Sequence, residues 1–207
     1  MTYTVIGKPG WGSAMVEAAL ALAGQPYRTE DIDPTVAGPQ RDRLLALNPL
    51  GQVPTLIMPD GSTMTESAAI VLYLADRFPS SGLAPAADDP RRAAFLRWLV
   101  FLVAAIYPTF TYGDDPGRWV DGEAAAKSLR AHTDAHCQAM WRHVEAAAGA
   151  PWFLGDRFSA LDVYVAVMTH WRPRADWFSA HCPKLAAIAP RAYALPALAA
   201  VWQRNGR

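Results

Sequence analysis

The first half of the chain alternates between short apolar runs and stretches in which apolar side chains recur at helical spacing. Residues 3–6 form a β-rich run ending at Gly7, and apolar side chains then recur every three or four positions from Ser13 onward. Since helices and strands differ in this period, the pattern predicts a strand followed by a helix. Ser13 is a suitable N-cap, and Gly24 suits the position just beyond the helix end.

Further short elements follow up to residue 78. Strand-like runs cover residues 27–32, 53–58 and 62–64, with an Asp60-Gly61 turn between the last two, and helical spacing covers residues 38–47 and 66–77. The order strand, helix, strand, helix, strand, strand, helix predicts an α/β domain with a mixed sheet and helices on both faces.

From residue 90 onward the spacing is helical throughout. The pair Asp89-Pro90 is a typical helix start, and this helix is expected to reach Tyr107, where Pro108 ends or kinks it. Further helices are predicted over residues 122–149 and 159–171 and after Pro183 and Pro196.

Residues 79–90 separate the two patterns and are rich in Pro, Ser and Gly, as linkers are. We therefore expect a first domain of residues 1–79, a linker of residues 80–89 and an all-helical domain of residues 90–207.

Composition and charge narrow the function classes. Of 207 residues, 52% are apolar and 18% are charged, which favours a folded core over disorder. The net charge is zero, which argues against a nucleic-acid binder, although residues 1–80 carry −3 and residues 81–207 carry +3. We expect no secretory signal, no apolar run long enough to span a membrane, no disulfide framework and a cytoplasmic location.

Three segments of the first domain suit either ligand binding or plain turns. The turn GKPGWGS at residues 7–13 precedes a helix N-terminus, which favours an anion such as phosphate or thiolate, but Ser13 as a simple cap also explains it. Pro54 cannot donate to a sheet, so it is expected at a strand start after a cis or trans Val53–Pro54 bond. Thr65-Glu66-Ser67 could bind an amine and a carboxylate, or only cap a helix.

Two groups in the second domain favour structural interpretations. Ser159 and Asp162 have the spacing of a capping box, which stabilises a helix start. His132 and His136 are four residues apart beside Cys137, but no further ligand is evident, so we expect no metal site.

The order and spacing of these motifs resemble one family over nearly the whole chain. NPLGQVPTL, DG and TESAAIVLYLADRF in the first half, with FLGDRFSALDVYVA in the second, resemble the cytosolic glutathione S-transferases of bacteria. The resemblance implies a thioredoxin-like domain followed by an all-helical domain. It also implies a homodimeric enzyme that activates the glutathione thiolate for attack on an apolar electrophile.

Site residues follow from the resemblance at matching positions. Val53, before Pro54, would pair with the cysteinyl backbone of glutathione, and Glu66 and Ser67 would hold its γ-glutamyl amine and carboxylate. Gln52 stands where the family often adds a polar contact. The family's pocket for the second substrate would be lined by aromatic side chains, here Tyr107, Phe110, Tyr112 and Trp11.

The turn departs from the family at the catalytic position. Related enzymes have Tyr, Ser or Cys there, and the cysteine type reads KPG-x-Cys-Ser, whereas this chain has Gly12 at the cysteine position. Ser13, the hydroxyl residue of the turn, is the best catalytic candidate; alternatively, backbone N–H groups stabilise the thiolate alone and Ser13 only caps the helix. The departure also motivates the alternative of a non-catalytic glutathione-binding or protein-interaction member.

The chain lacks the sequence motifs that two other activities of this fold would require. A thioredoxin-like disulfide oxidoreductase would need a C-x-x-C motif, and an isomerase acting on maleyl-type substrates would need a Ser-Ser-Cys-like turn. Neither motif occurs in the chain.

Overall fold

The computed structural model describes residues 2–207, which divide into two compact units. The first unit comprises the residues up to Ala86 together with Arg191–Arg207, and the second comprises Ala87–Pro190. The sequence pattern placed residues 191–207 with the helical domain, whereas in the structure the chain returns to the first unit.

The first unit contains a four-stranded mixed sheet. Its strands are β1 (Tyr3–Gly7), β2 (Tyr27–Asp31), β3 (Thr55–Ile57) and β4 (Thr63–Met64), in the spatial order β2-β1-β3-β4. Strand β1 is parallel to β2 and antiparallel to β3, and β3 is antiparallel to β4. This thioredoxin-like arrangement confirms the predicted α/β fold.

Three helices complete the predicted part of this unit: α1 (Ser13–Leu22), α2 (Pro39–Leu47) and α3 (Ser67–Arg77). All five residues of β1 are buried, as a strand covered on both faces requires. Ile6 packs with Ile32 and with Leu44 of α2 in one core cluster, while α1 packs against α3.

Residues 191–207 add a further layer to the first unit. Helix α10 (Ala199–Arg204) packs against α1, and Trp202 is buried. The Trp202 indole Nε1 donates to the Ala192 carbonyl at 3.0 Å, and its ring meets the Tyr193 ring edge-on at 5.2 Å. The packing of α10 and of the preceding turn, Pro196–Leu198, against α1 places this segment in the first unit.

The second unit is helical, as predicted. It contains α4 (Arg92–Phe101), α5 (Tyr107–Asp114), α6 (Glu123–Ala147), α7 (Ala160–Met168), α8 (Ala175–His181) and most of α9 (Pro183–Tyr193). A π-helical turn, Leu102–Ile106, joins α4 to α5, and Pro108 lies in the first turn of α5. Proline is tolerated in a first turn, so the helical stretch continues beyond Pro108.

The helical stretch Arg92–Asp114 has the length and apolar composition of a membrane span. The expectation that no segment was long enough is therefore wrong by these two criteria. A helix in the core of a folded unit also meets these two criteria. The buried side chains of this stretch include Phe95, Trp98, Leu99, Leu102, Ile106 and Phe110.

The predicted capping box at the start of α7 is present. The backbone N–H of Ser159 donates to the Asp162 carboxylate at 2.8 Å, and the N–H of Phe153 donates to its other oxygen at 2.7 Å. Asp162 is completely buried, so this carboxylate ties a loop and a helix start together inside the second unit.

Candidate functional site

Sheet register brings three predicted site segments to one end of the first unit's sheet. Ile6 pairs with Thr55, so the end of β1 lies beside the start of β3, and Val53–Pro54 immediately precede that start. Leu56 pairs with Met64, so Glu66 follows the end of β4 at the same end of the sheet. This end of the sheet therefore brings together the turn after β1, the residues before β3 and the start of α3.

The turn after β1 presents unpaired backbone donors. The N–H of Trp11 donates to the Lys8 carbonyl, and those of Ala14 and Met15 donate to Trp11 and Gly12. Within residues 2–207, no hydrogen bond is made by the N–H groups of Gly12 and Ser13. Donors at a helix N-terminus, where the helix dipole is positive, favour an anion.

The Ser13 hydroxyl is engaged in the turn itself. Its side chain is buried, and its Oγ donates to the Lys8 carbonyl at 3.1 Å. The Ser13 Cβ also packs directly against Gly7. The prediction of Ser13 as the N-cap is wrong, because Gly12 holds that position and no side chain caps α1. The Ser13 hydroxyl instead has a structural role in the turn, and its backbone N–H is the group available to bind an anion.

Lys8 was not singled out from the sequence, although it stands in the same turn. Its ammonium group forms an ion pair with Asp33 and lies 4.7 Å from the centre of the Trp11 ring. The Lys8 hydrogen bond, followed by those from Thr35, lowers the pKa of Asp33 to about 2. The Lys8 charge is therefore matched by the ionised Asp33, and the Lys8 side chain supports the half-exposed Trp11 indole.

The residues before β3 present an open stretch of backbone. The Val53–Pro54 peptide bond is cis, Pro54 is buried, and the exposed Gln52 uses its carbonyl to accept from Asn48 and Thr55. Among residues 2–207, Val53 has no hydrogen-bond partner for its N–H or C=O. An extended peptide-like ligand can pair with these two groups.

Glu66 has an unusual backbone conformation for a residue with a side chain. Its φ is 64°, in the left-handed region that glycine prefers, and its side chain is exposed. The Glu66 carbonyl accepts from the N–H of Ile70, and Ser67 is the first residue of α3. A carboxylate and a helix start side by side can bind an ammonium and a carboxylate of one ligand.

The proposed aromatic pocket residues of the second unit fall into two groups. Tyr107 and Phe110 each pack edge-on against Trp171, with centroid distances of 5.3 and 5.4 Å. Tyr112 is exposed and packs instead against the exposed Trp119 at 4.9 Å. The structure therefore does not gather Tyr107, Phe110 and Tyr112 into one cluster, and Trp11 belongs to the first unit.

The histidine and cysteine side chains of α6 differ in their exposure. His132 and His136 are exposed, whereas Cys137 is buried and burial raises the pKa of its thiol. Across residues 2–207, no three His, Cys, Asp or Glu side chains are close enough to hold a metal ion.

Known proteins match this chain over most of its length. Residues 13–77 match the family model described as the glutathione S-transferase N-terminal domain. The chain is 38% identical over 203 residues to the uncharacterized GST-like protein YncG of Escherichia coli (strain K12), covering 97% of both proteins. It is 31% identical over 172 residues to glutathione S-transferase GST-4.5 of Xanthomonas campestris pv. campestris, covering 81% of both.

A solved structure supports the same assignment. The glutathione transferase homolog from Sulfitobacter, determined with bound glutathione, has a TM-score of 0.84 and 27% identity, covering 98% of this chain and 97% of that one. The full-length match to YncG, together with the shared fold, shows that this chain belongs to the glutathione S-transferase family.

Proposed function

We propose that the protein is a glutathione transferase. It binds glutathione at the end of the sheet where β1 ends and β3 begins, and it promotes attack of the glutathione thiolate on an apolar electrophile. The observation that carries this proposal is that three candidate segments lie at the same end of the sheet, namely residues 7–13, 52–54 and 66–67. Glutathione in the related Sulfitobacter structure supports the ligand class.

Each segment matches a different part of the tripeptide. The free backbone groups of Val53, beside Pro54, pair with the cysteinyl N–H and carbonyl, and Gln52 adds a polar side chain nearby. Glu66 accepts from the γ-glutamyl ammonium, and the α3 start at Ser67 receives the γ-glutamyl carboxylate. Together these contacts bring the cysteinyl sulfur towards the turn after β1.

Thiolate stabilisation is assigned to the backbone of that turn. A free thiol has a pKa of about 8.5, so only a few per cent is ionised at neutral pH without help. The N–H groups of Gly12 and Ser13, which are unpaired within the described chain, are the proposed donors to the thiolate. Ser13 thus contributes through its N–H, while its hydroxyl holds the Lys8 carbonyl.

The second substrate is proposed to be apolar. The candidate contacts remain the four aromatic side chains predicted from the family resemblance, since aromatic faces bind apolar and aromatic groups. They are Trp11, Tyr107, Phe110 and Tyr112. We also propose that the protein works in the cytoplasm as a homodimer, without a metal, nucleic acid or membrane partner.

Calorimetry with glutathione, followed by a conjugation assay with chlorodinitrobenzene, tests the proposal. The expected result is saturable glutathione binding together with conjugation above the uncatalysed rate. Binding without conjugation of any electrophile would favour the second candidate, a non-catalytic glutathione-binding or protein-interaction member. That candidate is motivated by Gly12 at the position where relatives carry a reactive side chain.

A further inference from the structure

The turn after β1 is bonded to the segment that follows α10. The Asn205 Oδ1 accepts a hydrogen bond from the N–H of Gly10 at 2.9 Å, across 195 positions of sequence. Asn205 is buried, with 4% of its surface exposed. A side chain from this segment therefore holds the backbone of the turn.

The Asn205 amide is fixed at both of its ends. Its Nδ2 donates to the Val201 carbonyl at 2.9 Å, and its own backbone N–H donates to the carbonyls of Val201 and Trp202. Because the amino end is committed to Val201, the amide oxygen is held towards Gly10. The acceptor is thus preorganised by the end of α10, and the turn itself contributes only a donor.

The neighbouring residue anchors the same segment to two more elements of the first unit. The Arg204 Nε donates to Glu17 in α1 at 3.0 Å, and its guanidinium also pairs with Asp31 at the end of β2. Glu17 is buried, and burial raises the pKa of its carboxyl while the charge of Arg204 opposes the shift. Arg204 and Asn205 therefore bond to the turn, to the helix after it and to an adjacent strand.

The position of the Gly10 peptide affects the direction of the backbone donors that follow it in the turn. Gly10 has a φ of 81°, and it lies two residues before Gly12 and three before Ser13, whose N–H groups are the proposed thiolate donors. A shift of the Gly10 peptide would redirect these donors, because only a few bonds separate them. Hydrogen-bond strength falls steeply as the donor angle departs from linearity.

We propose that Asn205 is a positioning residue that holds the Gly10 peptide so that the turn stabilises the glutathione thiolate, an inference that rests on the proposed function. Asn205 acts through the backbone of the turn and does not touch the substrate. Arg204 supports it by fixing the end of α10 to Glu17 and Asp31.

The test compares Asn205→Leu with Val201→Ala. Leucine has the branched shape of asparagine but removes the acceptor for Gly10, together with the amide donor to Val201 and Glu17. Val201→Ala shortens a buried side chain of α10 and leaves the Asn205 amide in place, so it controls for a general loss of stability. The glutathione thiol pKa is read from thiolate absorbance against pH, and the Kd for glutathione is read from calorimetry.

In Asn205→Leu, the thiol pKa of bound glutathione should rise by about one unit, which lowers the thiolate fraction at neutral pH by up to about tenfold. The Kd should change less than about threefold, because the Val53 and Glu66 contacts remain. Val201→Ala should leave the thiol pKa unchanged. An unchanged thiol pKa in Asn205→Leu, or an equal shift in both variants, would overturn the proposal.

Amide hydrogen exchange of the free protein separates this proposal from the proposed function. The Gly10 N–H should exchange faster in Asn205→Leu than in Val201→Ala, and equal rates would show that Asn205 does not hold the turn. If the wild-type protein bound no glutathione, the proposed function would fail instead, while this ligand-free comparison would still decide whether the tether exists.

Discussion

Ser13 occupies the space that a side chain on Gly7 would need. A Cβ atom placed on Gly7 would lie 2.2 Å from the Ser13 Cβ and 2.4 Å from its Oγ, far inside van der Waals contact. The end of β1 and the start of α1 are therefore in such close contact that only glycine fits at position 7. This close approach fixes where the turn between them presents its backbone.

Gly7→Ala should destabilise the protein by about 3 kcal/mol, because neither the strand end nor the helix start can move away freely. Urea unfolding measures the change. The double variant Gly7→Ala/Ser13→Gly removes the opposing Cβ and should recover part of the loss. Additive effects of the two substitutions would mean that this contact does not limit position 7.

Ser13→Ala separates the hydroxyl from the backbone N–H. The variant keeps the N–H and loses only the hydrogen bond to Lys8, so conjugation should slow by less than about fivefold and stability should fall by about 1 kcal/mol. Steady-state kinetics and urea unfolding measure both effects. A loss of a hundredfold or more in kcat, the scale for a donor at the reacting atom, would place the hydroxyl at the sulfur.

The backbone conformation of Glu66 is expected to destabilise the folded protein, while its carboxylate contributes to glutathione binding. Glu66→Ala and Glu66→Gly both remove the carboxylate and should weaken glutathione binding by about tenfold or more, as for a lost charged hydrogen bond. Glycine also tolerates a φ of 64°, so Glu66→Gly should be about 1 kcal/mol more stable than Glu66→Ala. Calorimetry and thermal unfolding read the two effects, and equal stabilities would show that the backbone is not strained.

Asp162→Ala should cost about 3 kcal/mol, because it leaves the buried N–H groups of Ser159 and Phe153 without their acceptor. The exposed Asp176 in the first turn of α8 is a matched control. Its replacement by Ala should cost about 0.5 kcal/mol through the helix dipole alone. Similar losses in both variants would contradict the capping-box interpretation.

Asp162 also gives stability a distinctive pH dependence. Burial raises its pKa from 3.8 to about 6, so the folded state holds this proton more tightly than the unfolded state. Protonated Asp162 therefore contributes to the free energy of unfolding in full below about pH 4. This contribution, up to roughly 3 kcal/mol, is lost as the pH rises through about 6. The difference in unfolding free energy between the wild type and Asp162→Asn, measured from pH 4 to 7, should show this slope, and a difference independent of pH would contradict it.

Local patterns in the sequence predicted most elements because their causes are local. The spacing of apolar residues gave α1, and the separation of Ser159 from Asp162 gave the capping box, since both lie within a few residues. The effect of Pro108 was harder to predict from the sequence. A π-helical segment precedes α5, so Pro108 lies in the first turn of α5, where proline is tolerated.

Contacts distant in sequence could not be predicted in the same way. The bond from Gly10 to Asn205 and the pairing of Arg204 with Glu17 join residues separated by 195 and 187 positions, and no periodicity marks either pair. The positive φ of Glu66 leaves no sign in the sequence, because glutamate rarely adopts it. The resemblance to the family located the site, but the arrangement of its donors required the structure.

The pKa of the glutathione thiol bound to the wild-type protein tests the central claim most directly. Thiolate absorbance against pH, with the protein in excess, should give a pKa well below the value of about 8.5 for a free thiol, near 7. That result would show that the turn at residues 7–13 activates the sulfur without a reactive side chain at Gly12. A pKa that stays near the value for free glutathione, despite saturated binding, would contradict the claim.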